Sequence, residues 1–316
     1  MLGGKFRDRI RCYCDTDVRG KPSGQAMGKA LQRRLEQGFT FLKMDLGIGQ
    51  IQHLPDTISG FGPPDQREAY WRWYEAMNVM HPFTGIHLTE KGVDALDEYC
   101  SQVRQAIGYR VPLAVDHLGH FAIEDAIKLA RRLEKYNLAW LEDPVPWQFT
   151  DQYVRLSNAT TTPICTGEDI YLKEGFRPLL EARGVSVIHP DILTSGGILE
   201  TKKIADLAQE HGVAMAMHMA ESPIAAMACV HVAAASENFL VLENHSVDVP
   251  WWNDLVNGLP KPIIQNGFIA VPDAPGLGIE SLNDEVIAQH LDSRDPGLWE
   301  PTDQWDNEWS HDRLWS

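Results

Sequence analysis

LAWLEDPVP runs from Leu138 to Pro146. A short apolar run ends in two adjacent acids, and a Pro-x-Pro follows at once. Taken alone, an acid at a strand end reads as a solvated loop carboxylate. The design recurs on both sides, however. VPLAVDHLGH (111–120) carries Asp116 and PICTGED (163–169) carries Glu168, so Asp116, Glu142 and Glu168 stand 26 residues apart in succession. That spacing is the length of one strand–helix unit. It sets three carboxylates side by side at the carboxyl ends of consecutive parallel strands.

Working outward, further apolar runs occur at IRCYCDTD (10–17), TFLKMDLG (40–47), VSVIHPD (185–191), VAMAMHM (213–219) and FLVLENH (239–245). Near-continuous apolar runs are what strands buried on both faces require. Helical patterns lie between several of them. Ser23 caps one, with Met27, Ala30, Leu31 and Leu35 on its apolar face and Gly38 closing it. Val93, Leu96, Cys100, Val103 and Ile107 mark a second, closed by Gly108. Ile123, Ile127, Ala130 and Leu133 mark a third, and Leu199–His211, followed by Gly212, a fourth. Ser222–Ala235 is apolar nearly all round, as a buried helix would be. Eight strands alternating with helices predict an α/β fold, a (β/α)₈ barrel over residues 1–279. An open doubly wound sheet is the alternative, weakened because no Gly-rich phosphate loop follows the first strand.

Two stretches break the repeat. Residues 48–91 hold His53, Phe61, Tyr70, Trp71, Trp73, Tyr74, His81 and His87. A loop this long after the second strand reads either as a lid or as a helical excursion packed on its own aromatics. Residues 280–316, with Trp299, Trp305, Trp309 and Trp315, read as a tail docked on the barrel surface, with apolar area for self-association into a homo-oligomer.

The 316-residue chain is 44% hydrophobic and 23% charged, which supports a large core. Its formal net charge of −16 disfavours nucleic acid and anionic membrane as partners. Five scattered cysteines show no zinc spacing and read as reduced buried thiols. MLGGKFRDR lacks the apolar stretch of a signal peptide, so a cytoplasmic location is expected.

Three converging carboxylates without basic partners repel, and a hard divalent cation such as Mg²⁺ resolves the repulsion. Asp143 and Asp169 adjoin these acids as outer hydrogen-bonding groups. The series continues with Asp191, His218 and Glu243 at the ends of strands six to eight. Adjacent ends let Asp191 accept a hydrogen bond from His218 and fix its tautomer. The bland reading of His218 is a satisfied core histidine. On strand two, Lys43 and Asp45 share a face; the bland reading there is a structural ion pair. The whole constellation suits abstraction of a weakly acidic proton next to a carboxylate, with a metal stabilising the dianionic enolate.

FLKMDLG, AVDHLGH, WLEDPVP, CTGEDI, IHPDILTSGG, MHMAESP and VLENH together resemble the mandelate racemase/muconate lactonizing enzyme-like branch of the enolase superfamily, from about Lys5 to Ile279. The resemblance implies that Asp116, Glu142 and Glu168 hold Mg²⁺ and that Asp191–His218 is the catalytic dyad. It implies that Glu243 hydrogen-bonds the substrate carboxylate or enediolate and that Lys43 helps to neutralise that carboxylate. The sequence departs from the family in three places. Lys43-Met44-Asp45 replaces a Lys-x-Lys, so Asp45 is either a substitute base or a sign that His218 acts alone. Leu118 stands where some sugar-acid dehydratases carry a histidine, with His117 and His120 close by as guesses for substrate contact. The sequence begins at the first barrel strand, without the capping domain of relatives. A fragment, a misassigned start or a split arrangement would each account for that. The leading expectation is a sugar-acid dehydratase that yields a 2-keto-3-deoxy acid, with His218 as base and then acid. The alternatives are a racemase, epimerase or cycloisomerase on the same enolate, and a non-catalytic truncated barrel.

Overall fold

The computed structural model describes residues 2–16, 18, 23–51, 53–59, 87–116, 121–295 and 297–300. Strands are numbered here in chain order: β1 (Arg9–Arg11), which precedes the barrel segment Cys12–Asp15, and the barrel strands β2 (Leu42–Asp45), β3 (Leu113–Asp116), β4 (Leu141–Glu142), β5 (Ile164–Thr166), β6 (Val187–Ile188), β7 (Ala214–Met217) and β8 (Phe239–Leu242). The helices are α1 (Gly24–Glu36), α2 (Glu90–Ile107), α3 (Ile123–Leu133), α4 (Thr150–Ala159), α5 (Leu172–Glu181), α6 (Gly197–Glu210) and α7 (Pro223–Ala235).

Strands β2 to β8 form one curled parallel sheet in which chain neighbours are sheet neighbours. The expected first strand divides in two. Arg9–Arg11 pairs antiparallel with Phe268–Ala270, and the Arg9 guanidinium sits 4.4 Å from the Phe268 ring centre. Only the following residues join the barrel. Cys12 bridges Leu242 in parallel, Tyr13 N donates to Leu242 O (2.9 Å), and Asn244 N donates to Tyr13 O (3.0 Å). This segment occupies the eighth strand position. At its seam with β2, Arg11 Nε donates to Thr40 Oγ1 (2.8 Å). The α/β barrel reading therefore holds, and the doubly wound alternative does not.

Two cores follow from the period-2 geometry of strands. Outward-facing residues such as Leu42, Met44, Leu113, Val115, Met215 and Met217 pack against helix residues including Met27, Leu31, Val93, Leu96 and Val103. Inside, Tyr13, Phe41, Ala114, Trp140, Cys165, Val187, Ala216 and Val241 form a separate cluster, one residue from each strand. Phe41 and Trp140 pack as a tilted pair at 5.0 Å and Tyr13 lies 5.6 Å from Phe41, centroid to centroid. This layer is a solid floor across the barrel, as side-chain layers fill other barrels of this kind. All five cysteines are buried free thiols.

The helices start where the sequence offers caps. Ser23 Oγ accepts from Ala26 N at the head of α1, and Thr89 Oγ1 accepts from Gly92 N at the head of α2. The stretch after β2 begins with a short helix, Ile48–Ile51. Its ends are tied by antiparallel pairing of Ile58–Ser59 with His87–Leu88. His53 is exposed, and His87 Nδ1 lies 3.2 Å from Asp125 Oδ2. Phe61, Tyr70, Trp71, Trp73, Tyr74 and His81 lie outside the described residues, as do Trp305, Trp309 and Trp315. Past Ile279, Ser281–Leu282 pairs with Val256–Asn257, whereas Trp299 is 65% exposed.

Helices α1 and α2 cross without room for side chains at two points. A Cβ on Gly24 would lie 2.3 Å from the Tyr99 carbonyl oxygen, and one on Gly28 would lie 2.6 Å from the Ala106 Cβ. Gly24→Ala is expected to force the helices apart and to cost about 1–3 kcal/mol in overpacking. That exceeds the gain of at most about 1 kcal/mol from replacing a helical glycine. Thermal denaturation checks this: the midpoint should fall by several degrees, and an unchanged midpoint would show that the crossing relaxes freely.

Candidate active site

The site sits directly above the floor. Counting two residues onward from each floor residue gives Asp15, Lys43, Asp116, Glu142, Gly167, His189, His218 and Glu243. Two residues further along a strand is the same face one step nearer the carboxyl end. The chemistry-bearing residues are thus the next layer up, at the mouth where barrel enzymes act.

Lys43 is fully buried at the centre of this layer. Its Nζ lies 2.5 Å from Asp116 Oδ2, 2.7 Å from Glu243 Oε1 and 3.1 Å from Glu142 Oε1. Burial alone would push the ammonium towards neutrality. Asp116, Glu142 and Glu243 outweigh burial and hold its pKa well above the ordinary lysine value. Lys43 is therefore a fixed cation. Burial likewise opposes ionisation of Glu243, but Lys43 and then His245 and His189 bring its pKa well below the usual carboxylate range.

Glu142 is held from three sides. Lys43 and Trp140 reach it, the latter donating through Nε1 to Oε2 (2.7 Å). His189 Nδ1 lies 2.8 Å from Oε1. The buried His189 ring also meets Tyr13, with Oη 2.9 Å from Nε2. Carboxylate oxygens of Asp116, Glu142 and Asp143 come within 4.8 Å of one another. Asp143, which adopts a left-handed backbone (φ 44°), accepts from the Thr166 hydroxyl. Burial and the charges of Glu168, Glu142 and Asp116 raise the Asp143 pKa well above the usual range. Glu168 is raised by burial too, and by Asp116 and Glu142 against the pull of His218. Lys43 leaves these like charges unbalanced. Oxygen donors packed this closely with excess negative charge fit a hard divalent cation such as Mg²⁺.

His218 and Asp191 meet as expected. Asp191 and His218 form a parallel bridge between adjacent strand ends, and His218 Nδ1 lies 2.7 Å from Asp191 Oδ2. Asp191 Oδ1 accepts from the backbone amides of Leu193 (2.7 Å) and Thr194 (3.2 Å). Against burial, His218 and these amides lower the Asp191 pKa, so it is an acceptor only and Nδ1 carries the hydrogen. Nε2 then faces the carboxylates, 3.4 Å from Glu168 Oε2 and 3.9 Å from Glu243 Oε2. Burial disfavours the imidazolium, but Glu168, Asp191 and Glu243 raise the His218 pKa well above the histidine norm.

Asp45 ends β2 in register with Asp116, and after burial it is the main influence raising the Tyr99 phenol. His117 and His120 lie outside the described residues. Asp15 and His189 in this layer, Tyr13 and Trp140 in the floor beneath it, and His245 beyond Glu243 were not singled out from sequence. The two-residue step from the floor finds Asp15 and His189.

The sequence model of the family described as Enolase C-terminal domain-like matches residues 26–285. The chain belongs to the enolase superfamily. A D-xylonate dehydratase of Haloferax volcanii is 37% identical over 292 residues, covering 92% of this chain and 64% of that protein. A D-galactonate dehydratase of Ralstonia pickettii is 34% identical over 233 residues, covering 71% of this chain and 60% of that protein. The chain thus spans less than two thirds of the length of these relatives. Among solved structures, a mandelate racemase/muconate lactonizing enzyme-like protein of Rubrobacter xylanophilus superposes with a TM-score of 0.78 at 31% identity, covering 92% of this chain and 70% of that one. A mandelate racemase/muconate lactonizing enzyme of Jannaschia sp. CCS1 gives 0.74 at 29% identity, covering 95% and 70%. The barrel is the one this enolase-superfamily branch uses.

In this superfamily member, Lys43→Met should leave Asp116, Glu142 and Glu243 buried without their cation. The expected loss is about 3–5 kcal/mol, the usual result of removing one partner from a buried ion pair. Urea denaturation of the apo-protein checks it. A loss below about 1 kcal/mol would mean that the carboxylates are balanced by something other than Lys43.

Proposed function

We propose that the chain is a Mg²⁺-dependent dehydratase of aldonate-class sugar acids, forming 2-keto-3-deoxy acids. The observation that carries this is the Asp191–His218 dyad, whose Nε2 faces Glu168 (3.4 Å) and Glu243 (3.9 Å) beside the close group of Asp116, Glu142 and Asp143. A base beside a cation-binding carboxylate cluster suits removal of a proton next to a carboxylate. The named activities of the Haloferax and Ralstonia relatives, on D-xylonate and D-galactonate, support the same substrate class.

Asp116, Glu142 and Glu168 would hold Mg²⁺, with Asp143 beside them, and the ion would stabilise the negative charge that develops on the substrate carboxylate. Lys43 adds a fixed positive charge at the base of the site. Glu243, anchored by Lys43, hydrogen-bonds the substrate carboxylate only in its protonated form, since the anion is an acceptor only. His218 in its neutral form takes the α-proton on Nε2 while Asp191 keeps the ring oriented and stabilises the imidazolium. The C–H electron pair forms the new C=C bond and the β-C–O bond breaks. The enol product then tautomerises to the ketone. Lys43 is held as a cation and so does not serve as a second base, which argues against two-base racemisation through it.

Incubation with Mg²⁺ and pooled aldonates, D-xylonate and D-galactonate included, in D₂O should show α-proton loss and a 2-keto-3-deoxy product by proton NMR. Chelation should abolish both. His218→Asn should lower turnover by about 10²–10⁴-fold, the scale of general-base catalysis. Exchange without elimination would replace the dehydratase reading with racemisation or epimerisation.

Asp45→Asn separates the same readings genetically. A one-base dehydratase keeps substantial turnover in this variant. Loss of turnover with unchanged Mg²⁺ binding would make Asp45 a base.

A further inference from the structure

Dehydration needs a second proton transfer, because hydroxide leaves poorly until it is protonated. One step beyond the charged layer lies an imidazole that the α-proton step does not use. His245 lies two residues beyond Glu243, and its ring centre is 5.6 Å from that of His218. Glu243 stands between them. Its Oε2 faces His218 Nε2 at 3.9 Å and its Oε1 faces His245 Nε2 at 3.3 Å. The other nitrogen of His245, Nδ1, is 3.6 Å from Asp15 Oδ2.

We propose that His245, held by Asp15, is the general acid that protonates the departing β-hydroxyl, so that His218 handles the α-proton alone. This rests on the dehydratase reading and assigns a residue within it.

Three observations carry the assignment. First, His245 has an anionic acceptor at each nitrogen, an arrangement that favours the doubly protonated ring. Neither acceptor belongs to the carboxylates assigned to the cation, so the ring keeps both partners when a cation is bound. Second, His245 Nε2 is buried and, although at ion-pair distance from Glu243, makes no aligned hydrogen bond. Its Nε2 stands on the Glu243 side of the ring, next to the site. Third, the ring remains about one-third exposed (31%), and Asp15 25%, so both stand at the open end of the layer rather than in the floor. Against burial, Glu243 and Asp15 raise the His245 pKa, which fits a group that enters the reaction protonated.

The atoms balance. His218 Nε2 receives the α-proton, and the C–H pair becomes the C=C bond. The C–O pair leaves with the β-oxygen, which takes the Nε2 proton of His245 and departs as water. The enol tautomerises, His218 releases its proton, and His245 regains one from solvent.

The test compares two substrates on the full chain with Mg²⁺. One is an active aldonate; the other is its 3-deoxy-3-fluoro analogue, whose fluoride leaves without a proton. In His245→Gln, dehydration should fall about 10²–10⁴-fold, while α-proton exchange in D₂O and fluoride release persist. In His218→Asn all three should be lost. Asp15→Asn should give the same pattern as His245→Gln, with a smaller loss. Undiminished dehydration in His245→Gln would overturn the assignment, since His218 would then perform both transfers. Parallel loss of dehydration and fluoride release would overturn it too, by making His245 structural. If the unaltered chain eliminates neither water nor fluoride from any sugar acid, the dehydratase reading fails and the assignment falls with it. The first two outcomes overturn the assignment and leave that reading standing.

Discussion

A lysine ammonium enclosed by carboxylates is the constraint on which the rest of this barrel depends. Lys43 has no access to water and three carboxylate neighbours. A lone buried ammonium would cost several kcal/mol. One opposite charge at about 4 Å returns about 4 kcal/mol at an effective dielectric of 20. Several partners are therefore needed, and they must come from different strands: Asp116 from β3, Glu142 from β4 and Glu243 just past β8. The curl of the sheet is what brings those strand ends together. The same charge count limits the site's chemistry. Lys43 cannot balance Glu168 and Asp143 as well, and burial first, then the neighbouring carboxylates, raise the pKa values of those two acids.

The floor makes this arrangement durable. Tyr13, Phe41 and Trp140 fill the barrel beneath the charged layer and keep water away from its underside. Tyr13 and Trp140 also reach upward with polar atoms, Tyr13 to His189 and Trp140 to Glu142. The aromatic layer is thus both packing and a template for the carboxylate above it.

Much of this was legible in the residue order. The 26-residue recurrence of Asp116, Glu142 and Glu168 follows from the length of one strand–helix unit, and Lys43 stood out as a charge inside an apolar strand. Asp191 and His218 could be paired because they end adjacent strands. His189 escaped notice because attention to strand ends favours the last polar residue, Asp191, over the one two places earlier. Glu168 keeps the pitch but lies three residues past its floor residue, Cys165, with Gly167 at φ 152° between them. Its carboxylate consequently reaches towards His218. The division of the first strand was not legible. Its partner, Phe268–Ala270, lies about 260 residues away along the chain, and no local pattern in Arg9–Arg11 points to it.

The solid floor also governs traffic. A barrel plugged by eight side chains is a cup rather than a channel, so whatever enters over the strand ends must leave the same way. Entry and departure then compete for one path, and any segment that settles over the rim slows both. Turnover in such a vessel is set as much by how long its rim stays clear as by the speed of bond breaking at the bottom.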